Sequence, residues 1–530
     1  MPPAALRNVA DSSKPQLQLI HGDRNRRRWR LVFAALGAIL FVTLVAFAVF
    51  LRSQAWPFSE KAIVKDLEEA SDSSVTVRGF HQTYFPFPGC TLEGVEIIHG
   101  ARQFKLITID KLLVQGTYPG LLIHHVAHLI VNGTHILVPP FGSNVTFRSQ
   151  HSDAVVDEIV ADGTTLEFAR KDANTPPLRF DIHQALFNDV RWGAPFRYHV
   201  KLSNPLPPGE ITANGKFGGW TTGHPGDTPV SGEYTFERAD LGVYEGIAGT
   251  LSSAGKFGGV LQHIDITGKT ETPDFEVTSG GHQATLTTQF DAFVDAIHGD
   301  TFLKRVEAKL GRTKVTAEGS VAGLEGREGK VARIKLTSRR GRIEDLMGLF
   351  TSDRRSPMSG EVSLHANVEI PAGDEPFLDK VKLDGGFGIS DGSFSKTDTQ
   401  NSVDSLSAGA RGQNKADPET VLTDLQGSVV LKHRVATFSD LSFGVPGANA
   451  RMNGTYNIAN SKIDLHGRMR VDTKISETTT GAKALLLKAM DPLFKKKKKG
   501  EIIPVHIAGT YNHPSFGLDL ASSNQTHPAK

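Results

Sequence analysis

Three histidines, His124, His125 and His128, are the residues of this 530-residue chain whose types and spacing come nearest to a reactive cluster. On an extended strand His124 and His128 point to one face, two pleats apart, and so offer two imidazoles to a metal ion. A metal centre needs further ligands from elsewhere and a second shell to orient the rings. Leu121, Leu122, Ile123, Val126, Leu129 and Ile130 surround the histidines, and the plainer reading is a half-buried strand with polar positions. Other motifs fall short. Gly323–Lys330 (GLEGREGK) resembles a phosphate-binding loop, but five residues rather than four separate its outer glycines, and Val331 stands where a hydroxyl should hold magnesium. Ser393-Phe-Ser-Lys396 fits S-x-x-K without the companion motifs. No H-E-x-x-H, C-x-x-C or G-x-S-x-G occurs, and Cys90 is the single cysteine, so no intrachain disulfide can form. The expectation is a protein that is not an enzyme, with no catalytic residues, no cofactor and no metal.

Charge narrows the partners. Fifty-nine basic against 57 acidic residues leave a net charge of +2, which supplies no field for nucleic acid. One local run stands out: Lys495, Lys496, Lys497, Lys498 and Lys499. Such a run either contacts anionic lipid head groups, at about 1 kcal/mol per residue near a charged surface, or forms a solvated loop. The 30 Phe against 7 Tyr and 4 Trp suit an apolar lining better than a hydrogen-bonding face.

Leu31 to Leu51 contains no charged residue. Twenty-one residues at ~1.5 Å each span roughly 30 Å, the thickness of a bilayer's hydrocarbon core. Arg24, Arg26, Arg27, Arg28 and Arg30 precede it, so the N-terminus is expected in the cytoplasm and everything after about residue 52 outside. A cleaved signal peptide is the competing reading. The apolar run is long for one, and no small-residue cleavage site follows.

After this span the pattern becomes strand-like. Ser59 caps a short helix with Ile63, Leu67 and Ala70 on one face. Val75 and Val77 then alternate with polar residues, and Phe85-Pro-Phe-Pro-Gly89 marks a turn. Gly360–Ile370, Lys462–Val471, Leu178 to Ile182 and Ile334 to Leu336 alternate with period two, the mark of an antiparallel sheet with one apolar and one polar face. Helices are expected at Arg342–Phe350 and Thr480–Phe494, and a soft domain boundary in the breaker-rich Gly219–Pro229. The expected division is a basic cytoplasmic N-terminus (1–30), a transmembrane helix (31–51), an N-terminal β-rich region (52–225), a C-terminal β-rich region (226–520) and a disordered tail (521–530).

The order of these features resembles the AsmA-like proteins. One N-terminal membrane helix and a short helix lead into SVTVRGFHQTYFPFPGCTLEGVEI (Ser74–Ile97), which looks like the opening of that family. Gly454-Thr-Tyr-Asn-Ile458, Ile463-Asp-Leu-His-Gly467, the Ala482–Met490 helix, Ile503-Pro-Val-His-Ile-Ala-Gly509 and Pro514-Ser-Phe516 resemble the family's C-terminal region. The resemblance implies a mainly β protein in which an extended, curled antiparallel sheet, with a few short helices, forms a groove for phospholipid acyl chains. It also implies anchorage in the inner membrane of a Gram-negative bacterium through residues 31–51, with the body periplasmic and a role in outer-membrane biogenesis. It brings no catalytic residues. With the family in view, the alternating strands point to Val362, Leu364, Val368, Ile370, Ile463, Leu465, Met469 and Val471 as the groove's inner face. The alternative is an envelope scaffold that binds other proteins through its sheet edges without carrying lipid.

Overall fold

A computed structural model describes residues 56–519, apart from 100–103, 121–124, 139–154, 170–176, 220, 222–223, 279–280, 325–328, 352–354, 374, 396–399, 402–403, 405–406, 408–422, 472–501 and 511–512, together with 40–43 and 45. Within the apolar stretch Leu31–Leu51, Leu40 to Thr43 and Val45 are helical, and the remainder lies outside the described residues. Among the described residues no helix is long and apolar enough to cross a membrane. The helix expected over Thr480–Phe494 and the segments 1–30 and 521–530 also lie outside the described residues.

The first helix, α1 (Glu60–Ser71), begins as its cap predicts, with Ser59 accepting a hydrogen bond from the Ala62 N–H at 3.4 Å. It ends at Asp72, whose left-handed backbone (φ 48°, ψ 41°) lets its N–H reach the Glu68 carbonyl. Ile63 is buried and Leu67 packs beside it, but Ala70, placed on the same face by spacing, is exposed, and Val64 joins the core instead. The stripe that meets the sheet is thus Ile63, Val64 and Leu67.

Strands make up nearly all the rest. They are β1 (Ser74–Thr83), β2 (Gly89–His99), β3 (Phe104–Gly116), β4 (His125–Val138), β5 (Val155–Phe168), β6 (Leu178–Arg191), β7 (Phe196–Pro205) and β8 (Pro208–Phe217). Then come β9 (Pro229–Asp240), the two-residue β10 (Ile247–Ala248), β11 (Thr250–Val260), β12 (His263–Val277), β13 (Ala284–Asp295), β14 (Asp300–Leu310), β15 (Thr313–Gly323) and β16 (Lys330–Arg342). The last are β17 (Met358–Ile370), β18 (Lys382–Phe394), β19 (Thr423–Lys432), β20 (Val435–Val445), β21 (Ala448–Asn457), β22 (Lys462–Val471), β23 (Ile502–Thr510) and β24 (His513–Leu518). Two short helices interrupt them, α2 (Ile343–Gly348) and α3 (Phe377–Lys380).

All 24 strands belong to one sheet. With β10 set aside as a side pairing on β12, each strand pairs with the next along the chain, so the strands follow chain order across the sheet from β1 to β24. At ~4.8 Å per strand its ladder runs on the order of 100 Å. The expectation of a wholly antiparallel sheet needs correction, because β4 and β5 run parallel, Val126 facing Val156 and Ile136 facing Leu166. Residues 139–154 connect them, long enough to carry the chain back past a strand, which a two-residue hairpin cannot do. Across the stretch Gly219–Pro229, β8 and β9 pair directly, Phe217 with Val230 and Ile211 with Phe236, so the ladder continues through it.

The two large clusters of buried apolar side chains lie at the two ends of the ladder. At the N-terminal end Leu92, Val95 and Leu112 are sealed by Trp56, Phe58 and the apolar stripe of α1. At the C-terminal end Val362, Met469, Val471 and Ile503 form a second cluster, with Ile343, Leu346 and Met347 of α2 against it. A third, smaller cluster of Val277, Leu310 and Leu349 marks the place where α2 leans on the ladder.

Candidate functional site

Between those two ends the sheet has two unlike faces. Along β7, β9, β11 and β12 the burial alternates residue by residue between exposed and half-buried. A second layer packed over the apolar side would have taken it below water's reach, as it does at the ends. Here Tyr234, Phe257, Ile266, Phe290 and Leu336 are all half-buried instead.

Strand pairing turns this alternation into continuous rows. One row starts with Leu92, Leu112, Val131, Ala161, Ala185 and Val200 on β2 to β7. It continues through Ala213, Tyr234, Gly255, Gly268, Phe290 and Val306 on β8 to β14. It ends with Ala317, Leu336, Ala366, Gly385, Val429 and Phe438, then Gly454, Leu465 and Ile507 on β23. A parallel row one pleat away runs through Phe187, Tyr198, Phe257, Ile266, Ile334, Val368, Leu383, Leu431 and Ile463. The first row meets no charged residue from β2 to β23.

Glycines opposite aromatic rings keep the rows smooth. A Cβ on Gly268 would stand 2.8 Å from Phe290 Cζ, and one on Gly255 would stand 2.3 Å from the Thr267 carbonyl oxygen and 2.9 Å from the Tyr234 ring. The rings lie across the neighbouring glycine and cover its backbone, filling what would be a dent in the surface. Phenols on this face stay neutral: burial pushes Tyr198 up to about 12 and raises Tyr234, the latter partly offset by its hydrogen bond with Ser253.

The opposite face carries cross-strand charge. Lys256 meets Glu233 at 2.7 Å, Lys304 meets Asp265 at 2.6 Å, and Lys335 meets Glu318 at 3.0 Å. These exposed pairs contribute little to stability, about 0–1 kcal/mol each, but they keep that face wet and the register defined. A concavity of about 980 Å³ lies on this polar side, with Lys269, Glu271, Gln289, Glu307 and Lys309 in its lining. It follows the twist of the sheet and is lined by threonines and alternating charges.

The residues singled out from the sequence divide. Val362, Met469 and Val471 are 2%, 2% and 0% exposed and belong to the sealed C-terminal cluster. Leu364, Val368, Ile370 and Ile463 are half-buried on the uncovered face, and Leu465 is half-buried beside the cluster. Lys495 to Lys499 and His124 lie outside the described residues. His128 Nδ1 sits 2.9 Å from a Glu158 oxygen on β5, and His125 Nε2 sits 2.7 Å from the Asp157 carboxylate. Both histidines therefore face carboxylates across the parallel pair. Gly323 closes β15 and Lys330 opens β16, so GLEGREGK joins two strands and opens no helix. Ser393 Oγ lies 2.8 Å from Ser359 Oγ across β17 and β18, and Lys396 lies outside the described residues. Cys90 is buried, and its thiol is pushed up to about 12, which makes it inert.

Near the start of the body, Tyr84 packs on Trp56 at 5.8 Å between ring centroids. The turn that follows leaves Phe85 and Phe87 84% and 50% exposed, and Tyr118, whose hydroxyl donates to the Tyr84 carbonyl, stands beside them. Fold and faces together define a single-sheet β protein whose apolar side is left uncovered along most of its length by the described residues. Comparisons with protein-family models, with curated proteins and with solved structures give no match.

Proposed function

We propose that the chain is a membrane-anchored envelope protein of AsmA-like type that carries phospholipid along its uncovered apolar face. The observation that carries this reading is the uncharged row, whose members are half-buried rather than sealed from Val200 on β7 to Leu336 on β16. Acyl chains lying on such a row leave water at about 0.8 kcal/mol per buried CH₂ and make no specific polar contact, so one site exchanges for the next at nearly constant energy. A head group would remain at the rim, in water. The reading includes the anchor at 31–51, a periplasmic body whose sheet curls into a groove, and a role in outer-membrane biogenesis. Leu364, Val368, Ile370 and Ile463 are its acyl-chain contacts among the residues named from the sequence, and Lys495 to Lys499 its head-group contacts.

The exposed aromatics agree with the anchor. Leu51 is five residues before Trp56, a reach of at most about 18 Å, so Phe85 and Phe87 lie within range of the bilayer surface. Aromatic side chains favour that interface. A polarity-sensitive label on Phe87→Cys in the full-length protein, reconstituted in liposomes, is expected to be quenched more by a lipid-borne than by a water-borne quencher. The reverse preference would lift the body off the membrane and remove this part of the reading.

Lipid carriage is tested by photo-crosslinking in native membranes. Benzoylphenylalanine at Phe290 or Leu336 is expected to capture phospholipid, identified by mass, whereas the same group at Lys269 or Lys335 on the polar face captures none. If the inner positions stay unlabelled in a folded protein, lipid carriage fails, and a scaffold that binds partners at its edge strands becomes the leading reading.

A further inference from the structure

Strands β22 and β23 bring together three ligands that are far apart in sequence, Asp464, His466 and His506. His466 and His506 face each other directly across the antiparallel pair, and Asp464 lies two residues before His466, on the same face. All three belong to the polar side, opposite Leu465 and Ile507 of the apolar row. Asp464 Oδ1 stands 3.0 Å from His466 Nε2 and 3.1 Å from His506 Nε2, and the three ligand atoms lie within 4.8 Å of one another. Ligand atoms around a tetrahedral ion with bonds of ~2.0–2.1 Å stand roughly 3.3 Å apart, close to these separations. The histidine rings stack with centroids 4.3 Å apart and planes 18° from parallel, so both rings must turn out of the stack about their side-chain bonds for the two Nε2 atoms to share one ion.

A fourth residue supplies the second shell. Asp519, just after β24, is 7% exposed and places Oδ2 3.0 Å from His466 Nδ1. A carboxylate accepting the Nδ1–H holds the ring in the tautomer whose Nε2 lone pair is free for a metal, the usual support of a ligating histidine. We propose that Asp464, His466 and His506 bind a divalent transition-metal ion of the zinc class, with Asp519 positioning His466 and a water or anionic oxygen completing the shell. Two imidazoles and one carboxylate suit zinc or cobalt rather than calcium or magnesium. The ion would clip β22, β23 and the segment after β24 together, at the end of the ladder where no further strand follows among the described residues.

The test uses the full-length protein in detergent, purified without a polyhistidine tag and stripped with a chelator. Titration with Co²⁺ is expected to give one equivalent with the intense visible bands of a tetrahedral site, lost on adding Zn²⁺. His506→Asn and Asp464→Asn should abolish the bands, and Asp519→Asn should weaken binding 10- to 100-fold, the range for a second-shell partner. His128→Asn, at the other end of the ladder, should change nothing. Zn²⁺ should also raise the melting temperature of the parent protein and not that of His506→Asn, which keeps the test valid if a variant is less stable without metal. Only weak, octahedral Co²⁺ spectra in the parent protein, or equal binding and equal Zn²⁺ stabilisation in His506→Asn, would overturn the site.

Discussion

Replacing Phe290 with aspartate is expected to cut the phospholipid captured by the full-length protein about tenfold or more while the sheet stays folded. Phe290 lies mid-ladder between Gly268 and Val306 and is half-buried. In the lipid-free protein an aspartate there stays hydrated, so the expected stability cost is on the order of 1 kcal/mol, from losing the ring that covers Gly268. An acyl chain crossing that point has to strip water from the carboxylate, a penalty of several kcal/mol, and each 1.4 kcal/mol is about a factor of ten in occupancy. Gln289→Asp, one residue away and on the polar face, is the control and should leave capture unchanged. The measurement is phospholipid per protein by extraction and mass spectrometry, with circular dichroism to confirm the fold. Equal capture by both variants would mean that lipid does not travel on this row.

The second large effect separates sealed core from open face two residues apart on β17. Val362→Asp should unfold the C-terminal end of the ladder, because Val362 is 2% exposed among Met358, Ile389 and the α2 side chains. An unpaired carboxylate there costs several kcal/mol, a large part of the whole stability of a domain. Leu364→Asp should leave the fold nearly intact, since Leu364 keeps contact with water. Ile503→Ala, at 0% exposed, should cost about 2–5 kcal/mol through the cavity it leaves. Urea unfolding followed by circular dichroism distinguishes these outcomes. Similar midpoints for Val362→Asp and Leu364→Asp would show that β17 has the same environment at both positions, against the burial that divides them.

The same contrast shows how far residue order alone reaches. Period-two alternation in Gly360–Ile370 and Lys462–Val471 was enough to place both strands, and Lys462–Val471 matches β22 end to end. Serine at position 59 placed the start of α1. These features are local: a strand's two faces and a helix cap are set by neighbours a few residues away. The apolar character of one face of the sheet was legible for the same reason.

What depended on long-range pairing was not legible. Val362 and Leu364 look alike in the chain, and only the packing of α2 and of side chains from β18 to β23 around Val362 buries the first and leaves the second open. The parallel register of β4 and β5 depends on how residues 139–154 return the chain, which strand composition does not encode. His466 and His506 meet because β22 and β23 pair, although residues 472–501 separate them in the chain; the nearer cluster, His124, His125 and His128, offered the more visible spacing. Residue order thus sets which side of each strand is apolar, since that needs only alternation. Whether an apolar side is sealed, left open, or joined into an uncharged row depends on register and on what packs above it, and both arise only when distant segments come together.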